Sequence, residues 1–256
     1  MARYYTEEHG VIDNLRGKAL RVVDDIMEIR LKGNNWVKAF PSTTTIIGQL
    51  EKPALIQWAA NETCEWIRQN AEIVRPEEDS EKIGFFILPD QLNDARFNFR
   101  SVSKDALNIG GDVHNAIEAY LRTGKEPQKP SDEVLSAFLA FLEWKYEHNL
   151  RVIETEQRLI GDRWQGTCDL VCLLDGKKFV IDFKTSKQPR GNKRYDEWVY
   201  QLACYRSVIP ECRGMGVLRL DKESGFPDFY DLSDEYEWGL NVFNKLTDLF
   251  YAIRGR

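Results

Sequence analysis

The sequence predicts a mixed α/β fold, a central sheet flanked by helices with a helical part toward the N-terminus. Three strand-like runs follow one another at 151–160, 164–174 and 177–185. Helical patterns precede and follow them, and strands with helices on both sides in the chain indicate an α/β arrangement. We expect a single domain over residues 1–256, with strands and helices in 1–103 and the core in 104–256.

Composition favours a folded protein of the cytoplasm without a membrane partner. Hydrophobic residues make up 43% of the 256 positions, enough for a sizeable core. The 35 Lys and Arg against 41 Asp and Glu give a net charge of −6. This balance argues against a broad basic surface that coats nucleic acid, although a local basic groove stays open. No apolar run approaches the roughly 18 residues that a bilayer requires, and residues 1–10 lack an apolar signal region.

The elements can be assigned in order along the chain. Residues 19–31 and 35–40 have the alternation of short strands, and segment 70–84 is acidic and short, which favours a surface loop. Helix starts are indicated at Ser42, at Pro53 and, with a capping side chain, at Ser131. Apolar spacing predicts helices over 104–123, about 195–208 and 234–253, with strands near 215–220 and 228–232 between the last two.

The dipeptide Asp175-Gly176 predicts a two-residue hairpin turn between the second and third strand runs. With that turn, Asp169 lies directly opposite Asp182, and Lys184 lies on the same face as Asp182. Facing carboxylates with Cβ atoms about 5 Å apart are unfavourable without a cation. Two carboxylates with room for water suit Mg²⁺ or Mn²⁺. A register shifted by two residues would instead pair Asp169 with Lys184 as an ordinary ion pair, worth under about 1 kcal/mol.

Further polar residues have both a functional and an ordinary interpretation. Glu154 and Glu156 share one face of the preceding strand, and Glu156 fits a third carboxylate better, although a pair of Glu on a strand is usually a solvated face. His114 lies among apolar positions of helix 104–123, where a partly buried histidine is the commoner outcome. Gln201 and Tyr205 share a helix face, which packing alone would explain.

A basic segment follows the third strand run. It contains no acidic residue, and its basic residues are Lys184, Lys187, Arg190, Lys193 and Arg194. Such a local excess of positive charge is expected where a phosphate backbone binds. The alternative is a flexible basic loop without a partner.

The five cysteines are odd in number and scattered, which favours reduced thiols over a disulfide framework. Cys168 and Cys172 lie in a predicted strand, where core thiols are a better interpretation than metal ligands.

Five short motifs in order resemble the RecB-like branch of the PD-(D/E)XK nuclease superfamily. That branch has a His on an upstream helix, a Glu, G-x-x-D, D-x-K-T and Q-x-x-x-Y. The matching residues here are His114, Glu156, Gly166 with Asp169, Asp182 with Lys184 and Thr185, and Gln201 with Tyr205. Residues 41–61 resemble, more loosely, the opening of phage-encoded exonucleases and of mitochondrial genome-maintenance exonucleases.

The resemblance implies a restriction-endonuclease-like core and a metal-dependent DNA exonuclease that acts on DNA ends or single strands. Recombination, repair or replication would be its setting, in the host cytoplasm if the protein is phage-encoded. Asp169, Asp182, His114, Glu156 and the backbone carbonyl of Phe183 would hold Mg²⁺ or Mn²⁺, while Lys184 would orient the attacking water. The residues expected to contact the substrate are Thr185, Lys187, Arg190, Lys193, Arg194, Gln201 and Tyr205.

Three further expectations belong to this resemblance. Members with an iron-sulfur cluster carry three cysteines near the C-terminus, and no cysteine follows Cys212, so no cluster is expected here. A restriction-type or flap-cleaving endonuclease is one alternative activity. A catalytically silent DNA-binding module is another, against which the complete set of Asp169, Asp182 and Lys184 argues.

Overall fold

The structure is a computed structural model of the chain. It describes residues 2–7, 10–13, 19–31, 35–74, 84–187 and 194–255. The chain forms two compact units, one from residues 1–50 with 112–256 and one from residues 51–111. The first fifty residues thus belong with the C-terminal part, a different grouping from the expected division after residue 103.

The mixed α/β fold predicted from the sequence is confirmed. The strands in the described residues are β1 (Tyr4–Thr6), β2 (Gly10–Ile12), β3 (Leu20–Val23), β4 (Ile26–Arg30), β5 (Trp36–Pro41), β6 (Glu72–Val74), β7 (Gly84–Phe86), β8 (Leu150–Ile160), β9 (Gln165–Leu174), β10 (Lys177–Ser186), β11 (Gly214–Asp221) and β12 (Pro227–Asp231). The α-helices are α1 (Thr43–Ile47), α2 (Pro53–Asn70), α3 (Pro89–Thr123), α4 (Asp132–Glu147), α5 (Asp196–Ser207) and α6 (Tyr236–Arg254).

The helix signals of the sequence mark real helix ends. Ser42 caps α1 by accepting a hydrogen bond from the Thr45 amide at 3.0 Å, and Ser131 caps α4 through the Val134 amide at 3.4 Å. Helix α2 begins at Pro53 as predicted. Helix α3 begins fifteen residues earlier than the predicted 104, because residues 90–103 contain neither Gly nor Pro to end it.

Two five-stranded sheets belong to the larger unit. The N-terminal one has the order β2-β1-β5-β4-β3, and the second, central one has the order β12-β11-β10-β9-β8. In the central sheet only β10 and β11 pair in parallel, and the other neighbours are antiparallel. Because β9 and β10 are antiparallel neighbours in this sheet, their acidic residues lie close to one another.

The predicted hairpin register is confirmed. Asp175 and Gly176 have φ of 49° and 84°, the left-handed values that a tight two-residue hairpin turn requires. From this turn β9 and β10 pair in an unbroken register as far as Ile181 with Leu170. The register shifted by two residues is therefore wrong, and the next opposed positions are Asp169 and Asp182.

Helices cover both faces of the central sheet. Trp144 of α4 packs against Phe229, and Trp198 of α5 packs against Tyr230. Phe229 and Tyr230 are neighbours in β12 and so point to opposite faces, which places α4 and α5 on opposite sides. Helix α6 packs on α5 and completes the layer that faces the N-terminal strands.

The smaller unit contains α2, the first part of α3 and the pair β6-β7. The Trp58 ring meets Phe99 edge to face at 6.5 Å, which joins α2 to α3. The loop expected over 70–84 is wrong at its ends, since the segment contains all of β6 and the first residue of β7, and its residues 75–83 lie outside the described residues.

Cys168 and Cys172 are fully buried, as expected for core thiols. Burial raises the pKa of each thiol to about 12. A metal ligand must be a thiolate, so these two side chains are poor ligands at neutral pH. In the part of the chain that is described, no helix is long and apolar enough to cross a bilayer.

Candidate metal centre

The site lies where β9 and β10 stop pairing. One residue beyond the last ladder pair, the Asp169 carboxylate takes over the role of a backbone acceptor, since its Oδ2 accepts a hydrogen bond from the Phe183 amide at 2.6 Å. Asp182 is 3% exposed in the same region. The two acidic residues therefore lie just beyond the end of the hairpin ladder, where the Asp169 side chain takes the place of a backbone partner.

His114, Glu156 and Asp169 converge at this opening. The His114 Nδ1 atom lies 3.5 Å from Asp169 Oδ2, and one candidate ligand atom of each of the three residues lies within 4.8 Å of the others. The ring of Phe183 meets the imidazole edge to face at 5.9 Å and limits its rotation. One imidazole nitrogen and two carboxylates form a donor set that suits a hard or borderline divalent cation.

Asp182 is close to this group but is engaged by different partners. Lys184 forms an ion pair with Asp182 Oδ2, and Gln201 Nε2 donates to Asp182 Oδ1 at 3.1 Å. The same Gln201 nitrogen lies 3.3 Å from the hydroxyl of Tyr205, which it also reaches as a donor. Gln201 is thus a direct partner of an acidic residue at the site and is more than a packing residue of α5.

Glu156 has an unusual backbone. Its φ is 50°, in the left-handed region, within an otherwise extended strand. The β8-β9 ladder passes from Thr155 with Leu170 to Gln157 with Cys168 and omits the opposed pair of Glu156 and Asp169. The Glu154 carboxylate instead accepts a hydrogen bond from the Thr155 amide at 3.3 Å. Of the two glutamates left open by the sequence, Glu156 is the one that joins His114 and Asp169.

The charges of the site shift the pKa of its histidine and of Asp169. Burial alone would raise the pKa of Asp169, but the hydrogen bond and charge of His114, with Lys184, lower it overall. Burial alone would lower the pKa of His114, and the two aspartates raise it overall. Without a cation the pair therefore favours an ionised Asp169 beside a protonated His114, and a cation bound by both would replace the imidazolium proton.

Burial and neighbouring charges also shift the pKa values of Asp182, Glu156 and Lys184. Burial and the nearby Asp169 raise the pKa of Asp182 despite the opposing charge of Lys184. Burial and the charges of Asp169 and Glu118 raise the pKa of Glu156. Burial lowers the pKa of Lys184, but the two aspartates raise it overall, so the lysine stays protonated. Carboxylates that destabilise one another in this way are stabilised together by a bound cation.

The residues expected to contact a substrate are only partly accounted for. Thr185 is half-buried and continues the β10-β11 ladder opposite Leu220. Lys187 lies 2.7 Å from Glu133, and Arg194 forms an ion pair with Glu235. Arg190 and Lys193 lie outside the described residues. The structure thus gives Lys187 and Arg194 protein partners of opposite charge.

Three residues near the site were not singled out from the sequence. Glu118 and Arg122 follow His114 at intervals of four along α3, a spacing visible in the sequence that places them on one helix face. Thr43 comes from α1 and is fully buried beside Gly166 and Tyr205. No local pattern predicts this last contact, because it joins residues more than a hundred positions apart.

We predict that Gly166→Ala destabilises the protein by about 1 to 3 kcal/mol, the usual range for overpacking. A Cβ atom at Gly166 would lie 2.6 Å from a ring carbon of Tyr205 and 2.8 Å from Thr43 Oγ1. Urea unfolding would measure the change. Gly111→Ala is the control, since its Cβ would meet nothing within 4 Å and Ala favours the helix. An unchanged stability in Gly166→Ala would mean that this contact is loose.

We also predict that Glu156→Gly is more stable than Glu156→Ala by about 0.5 to 1 kcal/mol. Both variants lose the carboxylate, but only Gly adopts a left-handed φ without a steric cost, and this gain exceeds its entropic cost in a strand. The control is the same pair at Gln157, whose backbone lies in the ordinary region, and there Ala should be the more stable variant. If urea unfolding shows the Ala variant to be the more stable one at both positions, the left-handed backbone of Glu156 is contradicted.

Comparison with known proteins adds no evidence about this site. No protein-family model matches the chain, and no curated protein matches it. A solved structure described as "Crystal structure of SSO0001" is similar at 17% identity, with a TM-score of 0.27. The match covers 46% of this chain and 61% of that chain. A likeness at this level carries no argument about fold or activity.

Proposed function

We propose that this protein is a divalent-metal-dependent deoxyribonuclease of the RecB-like branch of the PD-(D/E)XK superfamily. The observation that carries the proposal is the convergence of His114, Glu156 and Asp169 within 4.8 Å, beside the ion pair of Asp182 and Lys184. The proposed substrate is DNA, which the protein would hydrolyse as an exonuclease that acts on DNA ends or on single strands. Recombination, repair or replication, in a phage-infected cell if the gene is of phage origin, is the proposed setting.

The donor set supports a resident Mg²⁺ or Mn²⁺. A cation of this kind, when bound, polarises a phosphate oxygen and lowers the pKa of water. His114, Glu156 and Asp169 would hold it, and Asp182 is a further carboxylate whose charge acts on His114 and whose Oδ1 accepts a hydrogen bond from Gln201. The fit rests on the pKa pattern as well, because three crowded carboxylates with one lysine leave negative charge for a cation to offset.

Lys184 is the group of this chain that acts on the substrate. The Lys184 side chain is one-third exposed, while the side chain of Asp182, with which it forms an ion pair, is buried. The two aspartates raise the pKa of Lys184, so its ammonium keeps its proton beside the candidate metal ligands. In that position Lys184 would orient an attacking water and offset the charge that develops on the oxygens of the scissile phosphate.

The test is an incubation of the full chain with single-stranded DNA labelled at the 5′ or the 3′ end. Separate reactions contain Mg²⁺, Mn²⁺ or a chelator. We expect degradation with a divalent cation and none with the chelator, and the labelled end that is released first gives the polarity. Absence of degradation with either cation would contradict the nuclease proposal and favour a silent DNA-binding module.

A second substrate separates exonuclease from endonuclease action. Covalently closed circular single-stranded DNA has no end, so a strict exonuclease leaves it intact under conditions that degrade the linear form. Cleavage of the circle would replace the exonuclease proposal with an endonuclease one, while the metal centre would stand.

A further inference from the structure

The backbone at Glu156 needs a partner that holds it in place. A left-handed φ is sterically unfavourable for an L residue, and the strand ladder omits the opposed pair of Glu156 and Asp169. Without a further contact, the peptide before Glu156 would relax toward the extended conformation. That relaxation would rotate the carboxylate away from His114 and Asp169.

Arg122 makes the contact that this peptide requires. Its Nε donates to Thr155 Oγ1 at 2.8 Å, and its Nη2 donates to the Thr155 carbonyl at 3.3 Å. That carbonyl belongs to the peptide plane that joins Thr155 to Glu156. Thr155 is 4% exposed, so few other donors reach it. Fixing this plane limits the φ of Glu156, because φ is the rotation that relates the plane to the Glu156 side chain.

The third nitrogen of the guanidinium explains how Arg122 is itself held. Arg122 Nη1 lies 3.1 Å from Glu118 Oε1, one helical turn before it on α3. As an exposed pair within one helix, this contact alone would contribute little to stability. The ion pair with Glu118 lies within α3 and does not require a contact with β8. The two hydrogen bonds from Arg122 to Thr155 of β8 therefore need a separate explanation.

Helix α3 thereby connects two members of the metal centre. His114, Glu118 and Arg122 lie at intervals of four residues and share one face of the helix. His114 extends directly toward Asp169, while Arg122, two turns further along α3, holds the backbone that presents Glu156. One rigid element thus sets the positions of the imidazole and of a carboxylate that comes from another strand.

We propose that Arg122 is a positioning residue of the metal centre, holding the Thr155–Glu156 peptide so that the Glu156 carboxylate faces His114 and Asp169. This inference rests on the proposed function, in that the three residues bind a divalent cation. Glu118 supports the guanidinium, and its charge also contributes to the raised pKa of Glu156. Arg122 itself contacts neither cation nor substrate.

The experiment measures Mn²⁺ affinity of the full chain by titration calorimetry, without any substrate. We expect Arg122→Gln to weaken Mn²⁺ binding by about 10- to 100-fold, the usual effect of removing an outer partner of a metal ligand. Arg122→Lys should not restore it, because an ammonium cannot make the forked pair of bonds to Thr155. Arg68→Gln is the control, since Arg68 makes a comparable exposed pair with Glu65 at 3.6 Å.

A double-variant comparison distinguishes positioning from a general structural effect. If Arg122 acts through Glu156, Arg122→Gln has no further effect on Mn²⁺ affinity in a Glu156→Ala background. An equal loss in both backgrounds, restoration by Lys, or parent-like affinity in Arg122→Gln would overturn the inference and leave the nuclease proposal intact. A parent chain that binds no Mn²⁺ would overturn both.

Discussion

Asp169→Asn is expected to abolish divalent-cation binding and to reduce DNA hydrolysis by at least about 10³-fold. Asp169 is the residue on which the site converges, because His114 approaches its Oδ2 at 3.5 Å and Glu156 completes the group. The substitution removes the charge, while the amide oxygen still accepts the hydrogen bond of the Phe183 amide. The fold should therefore survive, and the loss would report on the cation.

Asp175→Asn provides the matched control for this variant. It makes the same chemical change at the hairpin turn of the same two strands, and Asn-Gly is as good a turn as Asp-Gly. Its cation affinity and hydrolysis should equal those of the parent. Parent-like Mn²⁺ binding and hydrolysis in Asp169→Asn would exclude the metal centre described here, whatever the activity of the protein.

The register of the acidic hairpin could be predicted because local chemistry determines it. Asp175 and Gly176 occupy backbone conformations that few other residues adopt, so the turn has only one position along the sequence. Once the turn is placed, the alternation of a strand puts Asp169 opposite Asp182 and Lys184 beside Asp182. The contact between Lys184 and Asp182 follows directly from that spacing.

The division of roles within the site could not be predicted from that pattern. The sequence places Asp169 and Asp182 together as one pair of ligands. In the structure Asp169 groups with His114 and Glu156, whereas Asp182 is engaged by Lys184 and Gln201. The reason is that the strands stop pairing at Asp169, and strand propensity does not reveal where a ladder opens.

Long-range contacts account for the other differences. The left-handed backbone of Glu156 is not favoured by its residue type, and it depends on Arg122 more than thirty positions earlier. Similarly, Thr43 is buried against Gly166 and Tyr205, which come from distant parts of the chain. Such contacts depend on tertiary packing, whereas turns and caps depend on neighbours in sequence.

Lys184→Met is expected to separate cation binding from turnover. The ammonium faces the carboxylates that attract a divalent cation, so its removal makes the site more negative and should leave Mn²⁺ affinity unchanged or increase it. Hydrolysis should nevertheless fall by about 10²- to 10³-fold, because the group that offsets charge on the phosphate is lost. Asp169→Asn, by contrast, should lose both binding and hydrolysis.

Lys178→Met is the control for the same exchange on the same strand. Lys178 donates to the carbonyl of Pro210 at 2.9 Å, on the part of β10 near the turn, and has no contact with the acidic group.

Parallel measurements of Mn²⁺ affinity and of hydrolysis at saturating Mn²⁺ decide the outcome. If Lys184→Met loses Mn²⁺ affinity as Asp169→Asn does, the lysine is part of the framework that holds the carboxylates. If it retains both affinity and hydrolysis, the lysine has no part in the reaction. Retained affinity with lost turnover would show that Lys184 acts on the reacting groups, by orienting the water or by offsetting charge on the phosphate, because neither role requires it to hold the cation.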